Sequence, residues 1–149
     1  MEIKSDFRNN ERIPEKYTAD GDDVNPRLEI LGIPDEAKSL VLIVDDPDAQ
    51  KVVGYTWIHW VVFNIPVSGD KVIIGENSIP GDSGKSTYGK AEYGGPNPPA
   101  GTGEHHYHFK VYALDITLDL DSSADVNKIS SEMEGYVLDS AELIGIYSR

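Results

Sequence analysis

Ser39-Leu40-Val41-Leu42-Ile43-Val44 is an almost unbroken apolar run, closed at once by Asp45-Asp46-Pro47-Asp48. A short run of β-branched and aliphatic residues bounded by turn formers reads as a strand buried on both faces. Around it lie further strand candidates. Thr56 to Asn64 alternates Trp57, His59, Val61 and Phe63 on one side with Ile58, Trp60 and Val62 on the other. His105 to Leu118 is the longest, with Tyr107, Phe109, Val111 and Ala113 sharing a face. Arg27 to Leu31, Lys71 to Gly75 and a closing Ala141 to Tyr147 are shorter. One segment reads as helix: Ser122-Ser123-Ala124-Asp125 offers an N-cap, Ile129 and Met133 follow at i, i+4, and Gly135 stops it. A second helix is expected only if Asp82 to Lys90 contributes a turn. The expectation is a single domain over residues 1–149, mainly β and antiparallel.

At 149 residues the chain is long enough to bury roughly 70% of its unfolded surface. It has no cysteine, which removes disulfides and thiolate chemistry. Met1 to Asp6 carries no apolar run, so no signal peptide is expected, and no stretch approaches the roughly 18 apolar residues of a membrane span. A cytoplasmic protein without integral membrane association is the expectation. The net charge of −13, with 13 scattered Lys and Arg, argues against nucleic acid as a partner. A small anion in a neutral pocket stays compatible with it. A homodimer and a protein partner are left open.

The chemistry-bearing residues fall at strand ends. His59 follows Trp57, and His105 precedes Tyr107, so each strand begins an apolar face with a titratable ring. A core histidine satisfied by a backbone carbonyl is the plain reading for His59 alone; the repeated arrangement favours a shared pocket. Pro47 forces Asp46 out of helical geometry just where the buried run ends. Residues 76 to 104 have no sustained apolar period, and long irregular segments in compact domains are usually functional. Within them, Pro98-Pro99-Ala100-Gly101-Thr102-Gly103 runs into His105, and its N–H groups could form an anion nest.

Asp-Pro-Asp-Ala, then Trp-x-His with a β-branched run ending at Asn64, then Gly-Pro-x-Pro-Pro-x-Gly-x-Gly-x-His-x-Tyr-x-Phe resembles the phosphatidylethanolamine-binding protein family, which includes the Raf kinase inhibitor proteins. The likeness extends over Asn25 to Leu28, Gly32 to Pro34, Ser39 to Ala49, Trp57 to Pro66, Gly94 to Asp115 and Ala141 to Tyr147, and the short length is most similar to the prokaryotic branch. The resemblance implies a large central antiparallel sheet, a smaller second sheet and one or two peripheral helices. It also implies a cavity at one sheet end that takes phosphate or a phosphorylated head group. Asp46, Trp57, His59, Pro98, Pro99, His105 and Tyr107 match the positions lining it, and Asp48 matches an acid that supports the loop. Gly54-Tyr55 is where a cis peptide common in the family is expected. Three positions depart from the pattern: Gln50 stands for a proline, His106 for an arginine and Ile30 for a tryptophan. The kinase-binding roles of animal members are not carried over.

The leading function is a binding module for a small anion held by His59, His105, Tyr107 O–H and loop N–H groups, with no cofactor. Asp46 would orient one imidazole and favour its protonated form. A hydrolase using Asp46, His59, His105 and Tyr107 as general acid–base groups ranks lower, because neither a cysteine nor a Gly-x-Ser-x-Gly elbow supplies a nucleophile. An inhibitor of a protein partner rests on analogy alone. No metal is expected. On a strand His106 and His108 point away from His105, which leaves His59, His105 and Asp46 as a set able to share an ion.

Overall fold

The apolar run at residues 39–44 becomes the centre of a six-stranded sheet. In the computed structural model, which describes residues 1–149, the elements run β1 (Glu2–Lys4), β2 (Glu11–Arg12), β3 (Leu28–Leu31), β4 (Ser39–Asp46), α1 (Gln50–Val53), β5 (Trp57–Pro66), β6 (Lys71–Ile74), β7 (Asp82–Ser83), β8 (His105–Leu114), α2 (Val126–Met133) and β9 (Val137–Tyr147). The larger sheet has the order β2-β9-β8-β4-β5-β7, and the smaller is β1-β3-β6. All pairings are antiparallel except that of β2 with β9. This is the mainly β, two-sheet architecture expected from the sequence.

Both faces of β4 are covered, which is why its sequence does not alternate. Leu40, Leu42 and Val44 pack with Phe109 and Val111 of β8 against Leu28, Ile30 and Ile74 of the smaller sheet. Val41 and Ile43 face the other way, into a second cluster with Val61, Phe63, Leu118, Ile129 and Met133. α2 is amphipathic and buries Ile129 and Met133 there. Its N-cap is Asp125 itself, accepting from Lys128 N–H at 2.9 Å, one turn later than a cap at Ser122. Gly135 follows its end at φ 88°, as a C′ stop requires.

Strand β5 corrects the expected faces. Opposite β4, Val44 pairs with Trp60 and Asp45 with Ile58, so His59 is an inserted residue; a second irregularity falls at Phe63 and Asn64, where Asn64 has φ 53°. Each bulge re-phases the alternation. Ile58, Val61 and Phe63 therefore share the α2 side, whereas Trp60, Val62 and Ile65 face the smaller sheet. His59 does not lie over Val61 and Phe63; its ring packs against Tyr107.

Other expectations are also revised. No peptide bond is cis, Gly54-Tyr55 included. Gly54 instead adopts φ 89° and caps α1, its N–H bonding Gln50 O at 3.0 Å. The second helix is α1, and Asp82 to Lys90 holds β7 and a turn closed by Gly89 N–H to Ser86 O. β8 stops at Leu114, because the chain leaves the sheet to place Leu118 beneath α2.

Candidate functional site

Antiparallel order puts the end of β4 beside the beginnings of β5 and β8. Asp46, Trp57, His59, His105 and Tyr107 therefore meet at one end of the larger sheet. A cavity of about 330 Å³ opens there, lined by those five together with Pro98 and Pro99. The structure thus gathers all seven residues singled out from the sequence. Ala49, Val52, Val53, Tyr88 and Asn97 complete the wall. The apolar pair Val52-Val53, directly after the Asp-Pro-Asp turn, was the available signal for α1. Tyr88, an aromatic residue in a polar loop, was another; neither has a periodicity to mark it.

His105 is fully engaged within the protein. Its Nδ1 meets Asp46 Oδ2 at 2.6 Å and its Nε2 meets Thr102 Oγ1 at 2.9 Å. The Thr102 hydroxyl also lies 2.8 Å from Pro99 O, to which it can only donate. His59 differs. Its Nδ1 lies 2.8 Å from Gly94 O, and a carbonyl only accepts, so Nδ1 carries the proton and Nε2 is left without a protein partner on the cavity side.

Burial holds the His59 pKa down at about 4, outweighing the hydrogen bond to Gly94 and the charge of Asp46. The one imidazole that Asp46 orients is that of His105; at His59 the charge of Asp46 favours protonation, but the ring is almost entirely desolvated and is neutral at neutral pH. Burial, then Asp46, pushes the Tyr107 phenol well above its ordinary value, and burial pushes Tyr88 up to about 12. Both hydroxyls stay protonated. The Tyr107 ring stands edge-on to His59, with centroids 5.1 Å apart. Two polar atoms of the lining residues, Asp46 Oδ1 and Trp57 Nε1, are wholly buried and have no partner.

The glycine-rich loop is braced, and several of its N–H groups are taken up within the protein. Gly94 N–H bonds His59 O, Gly95 N–H bonds Asp23 Oδ1, Gly101 N–H bonds Arg149 O, and Thr102 N–H bonds Pro99 O. Gly95 has to be glycine: a Cβ would sit 2.3 Å from Tyr17 O. Arg149 donates to Pro98 O at 3.2 Å while gripping Asp20 through Nε and Nη2, and so ties the cavity rim to residues 18–23. Behind the site, His106 pairs with Asp48 at 2.7 Å and His108 with Glu142 at 3.2 Å, on the face away from His105. Asp48 also accepts from His106 N–H, tying the Pro47–Ala49 turn to β8. Burial opposes ionisation of Asp48, but these His106 bonds hold its carboxyl below its ordinary value. Nowhere are three His, Asp or Glu side chains gathered as a metal site requires, and no helix is long and apolar enough to cross a membrane.

Residues 3–148 match the profile of the family described as Phosphatidylethanolamine-binding protein. UPF0098 protein PH1269 of Pyrococcus horikoshii is 46% identical over 155 residues, covering 100% of this chain and 77% of that one. The phosphatidylethanolamine-binding protein homologue CT736 of Chlamydia trachomatis superposes with a TM-score of 0.91 at 35% identity, covering 99% of this chain and 97% of that one. YbcL of E. coli, described as a member of the mammalian PEBP family, gives 0.88 at 26% identity, covering 99% and 98%. The fold, the family profile and these relatives agree: the chain belongs to the phosphatidylethanolamine-binding protein family, in its prokaryotic branch.

Proposed function

We propose that this chain is a binding module for a small oxyanion, a phosphate or a phosphorylated head group, and works without a cofactor. One observation carries the reading. A cavity of about 330 Å³, walled by Pro98, Pro99, Val52 and Val53, brings together the His59 and Tyr107 rings, and neither the Tyr107 hydroxyl nor the His59 nitrogen opposite Gly94 has a hydrogen-bond partner within the protein. Apolar walls with a few convergent polar groups are what a small-molecule site needs, and this volume is near the lower end of such sites. The family's name points to a phosphate-bearing ligand as well. Titration with inorganic phosphate or phosphoethanolamine, followed by NMR, should shift the ring signals of His59, His105 and Tyr107. Unmoved signals would end this reading.

A hydrolase is favoured by one feature, the relay from Asp46 through His105 to the Thr102 hydroxyl. Against it, Thr102 is not part of the cavity wall, and its proton is directed to Pro99 O and not to His105. A screen of esters and phosphoesters with the unaltered chain, His59→Ala and Thr102→Val separates the two readings. Turnover lost in both variants would favour the enzyme.

A further inference from the structure

Between buried Ala49 and half-buried Thr56, every residue from Gln50 to Tyr55 is exposed. This short excursion carries three large apolar side chains, Val52, Val53 and Tyr55, with 37%, 44% and 50% of their surface open to water. Val52 and Val53 line the cavity, sharing its wall with Pro98 and Pro99 of the glycine-rich loop. Apolar surface left open in a cavity wall is surface that an occupant can cover.

The excursion is anchored at its ends and only lightly along its length. At one end Ala49 is buried and Asp48 is held twice by His106, through the backbone N–H and Nδ1, both at 2.7 Å. At the other the Tyr55 ring stacks on Trp57, with centroids 6.0 Å apart. Between them α1 packs chiefly on the Pro47–Ala49 turn, and its hydrogen bonds are local: Gly54 N–H to Gln50 O at 3.0 Å and Gln50 Nε2 to Thr56 Oγ1 at 3.0 Å. Gly54, at φ 89°, has no atom within 4 Å of where a Cβ would stand, so the backbone has room to turn there. Few buried contacts and exposed backbone hydrogen bonds are what let a segment move without unfolding its surroundings. We propose that Gln50 to Tyr55 is a lid, hinged at Gln50 and Gly54, that closes over an occupied cavity and buries Val52 and Val53 against the ligand. This rests on the anion-binding reading: the acid group sits by His59 and Tyr107, and the lid covers what is attached to it. A ligand drives closure only through contacts made in the closed state, and the two valines supply them.

Amide exchange of the unaltered chain, followed by NMR with butyl phosphate and with inorganic phosphate, reads the lid directly. Saturating butyl phosphate should slow exchange several-fold at Gly54, whose N–H closes α1, and the Val52 and Val53 methyls should show NOEs to the butyl protons. Inorganic phosphate gives the valines nothing to cover and should slow it less. The pair of probes thus separates a free anion from an ester as the occupant that closes the lid. Val52→Ser combined with Val53→Ser, both at exposed positions, should quicken release of butyl phosphate by on the order of tenfold, most of the lost affinity falling in the off-rate. Release of inorganic phosphate should change much less. Butyl phosphate bound with Gly54 exchange unslowed, or with release untouched by the double substitution, overturns the lid and leaves anion binding standing. No binding of either probe removes the anion reading, and the lid with it. The exchange measurement needs no variant, so it decides the matter even if the serines disturb α1.

Discussion

His59 carries the sharpest consequence at the scale of one residue. Its Nδ1–H is held by Gly94 O and its ring is almost wholly desolvated, so its pKa falls from 6.5 to about 4 on folding. As pH drops, the unfolded chain takes up this proton first. The stabilisation is thus complete above pH 6.5 and is lost progressively as pH falls through about 4. A shift of that size amounts to about 3 kcal/mol. Urea denaturation across this window should show the loss in the unaltered chain and a flatter profile in His59→Asn, which keeps a donor near Gly94 but cannot titrate. The ring itself should titrate near 4 by NMR; a midpoint near 6.5 would show that the burial argument fails.

At the scale of elements, the bulges of β5 and the brace on the loop decide where the site's groups end up. Asn64 holds the second bulge in the left-handed region and spends its amide on Leu118 O and Asp82 Oδ2, while its Oδ1 accepts from Leu118 N–H. Asn64→Ala forfeits three hydrogen bonds and retains the strained backbone, so chemical denaturation should register a loss of roughly 2–4 kcal/mol. Asn64→Gly should lose less, because glycine tolerates that φ. Arg149→Ala should leave the fold intact while freeing the rim. Hydrogen exchange at Gly101 should quicken and phosphate affinity should fall several-fold; unchanged exchange would mean that Arg149 does not brace the loop. These elements also mark what was legible in the sequence. β4 could be read directly because every position is covered, and the faces of β8 because its ladder with β4 is regular from Asp45 to Ser39. The faces of β5 could not be read, since an inserted residue leaves no mark on an apolar run. Short β1, β2, β7 and α1 have too few residues for a period to show. The seven cavity residues were legible as ring-bearing strand ends and a proline-rich rim. Their hydrogen bonds were not, because Asp23, Asp20 and Arg149 come from segments far along the chain and meet the loop only after folding.

Across the whole molecule, charge sets how an anion can arrive and what holds it. The chain carries a net charge of −13, and the cavity is lined by a neutral His59, by protonated tyrosines and by Asp46 paired with His105, while Arg149 on the rim is held by Asp20. Long-range electrostatics therefore oppose the approach of phosphate, and short-range hydrogen bonds in a desolvated cup must supply the affinity. Added salt screens that repulsion over a Debye length of about 10 Å at 0.1 M and has no buried cation to screen in return. Most phosphate sites built on lysine and arginine weaken as salt rises; this one should not. From roughly 10 to 150 mM sodium chloride, phosphate affinity should hold or increase, with the gain in the association rate. Stopped-flow measurements of phosphate binding across that series would check it. A steep loss of affinity would mean that a charged histidine or Arg149 faces the ligand. A neutral cup around His59 and Tyr107 would then be the wrong account of how this sheet end holds an anion.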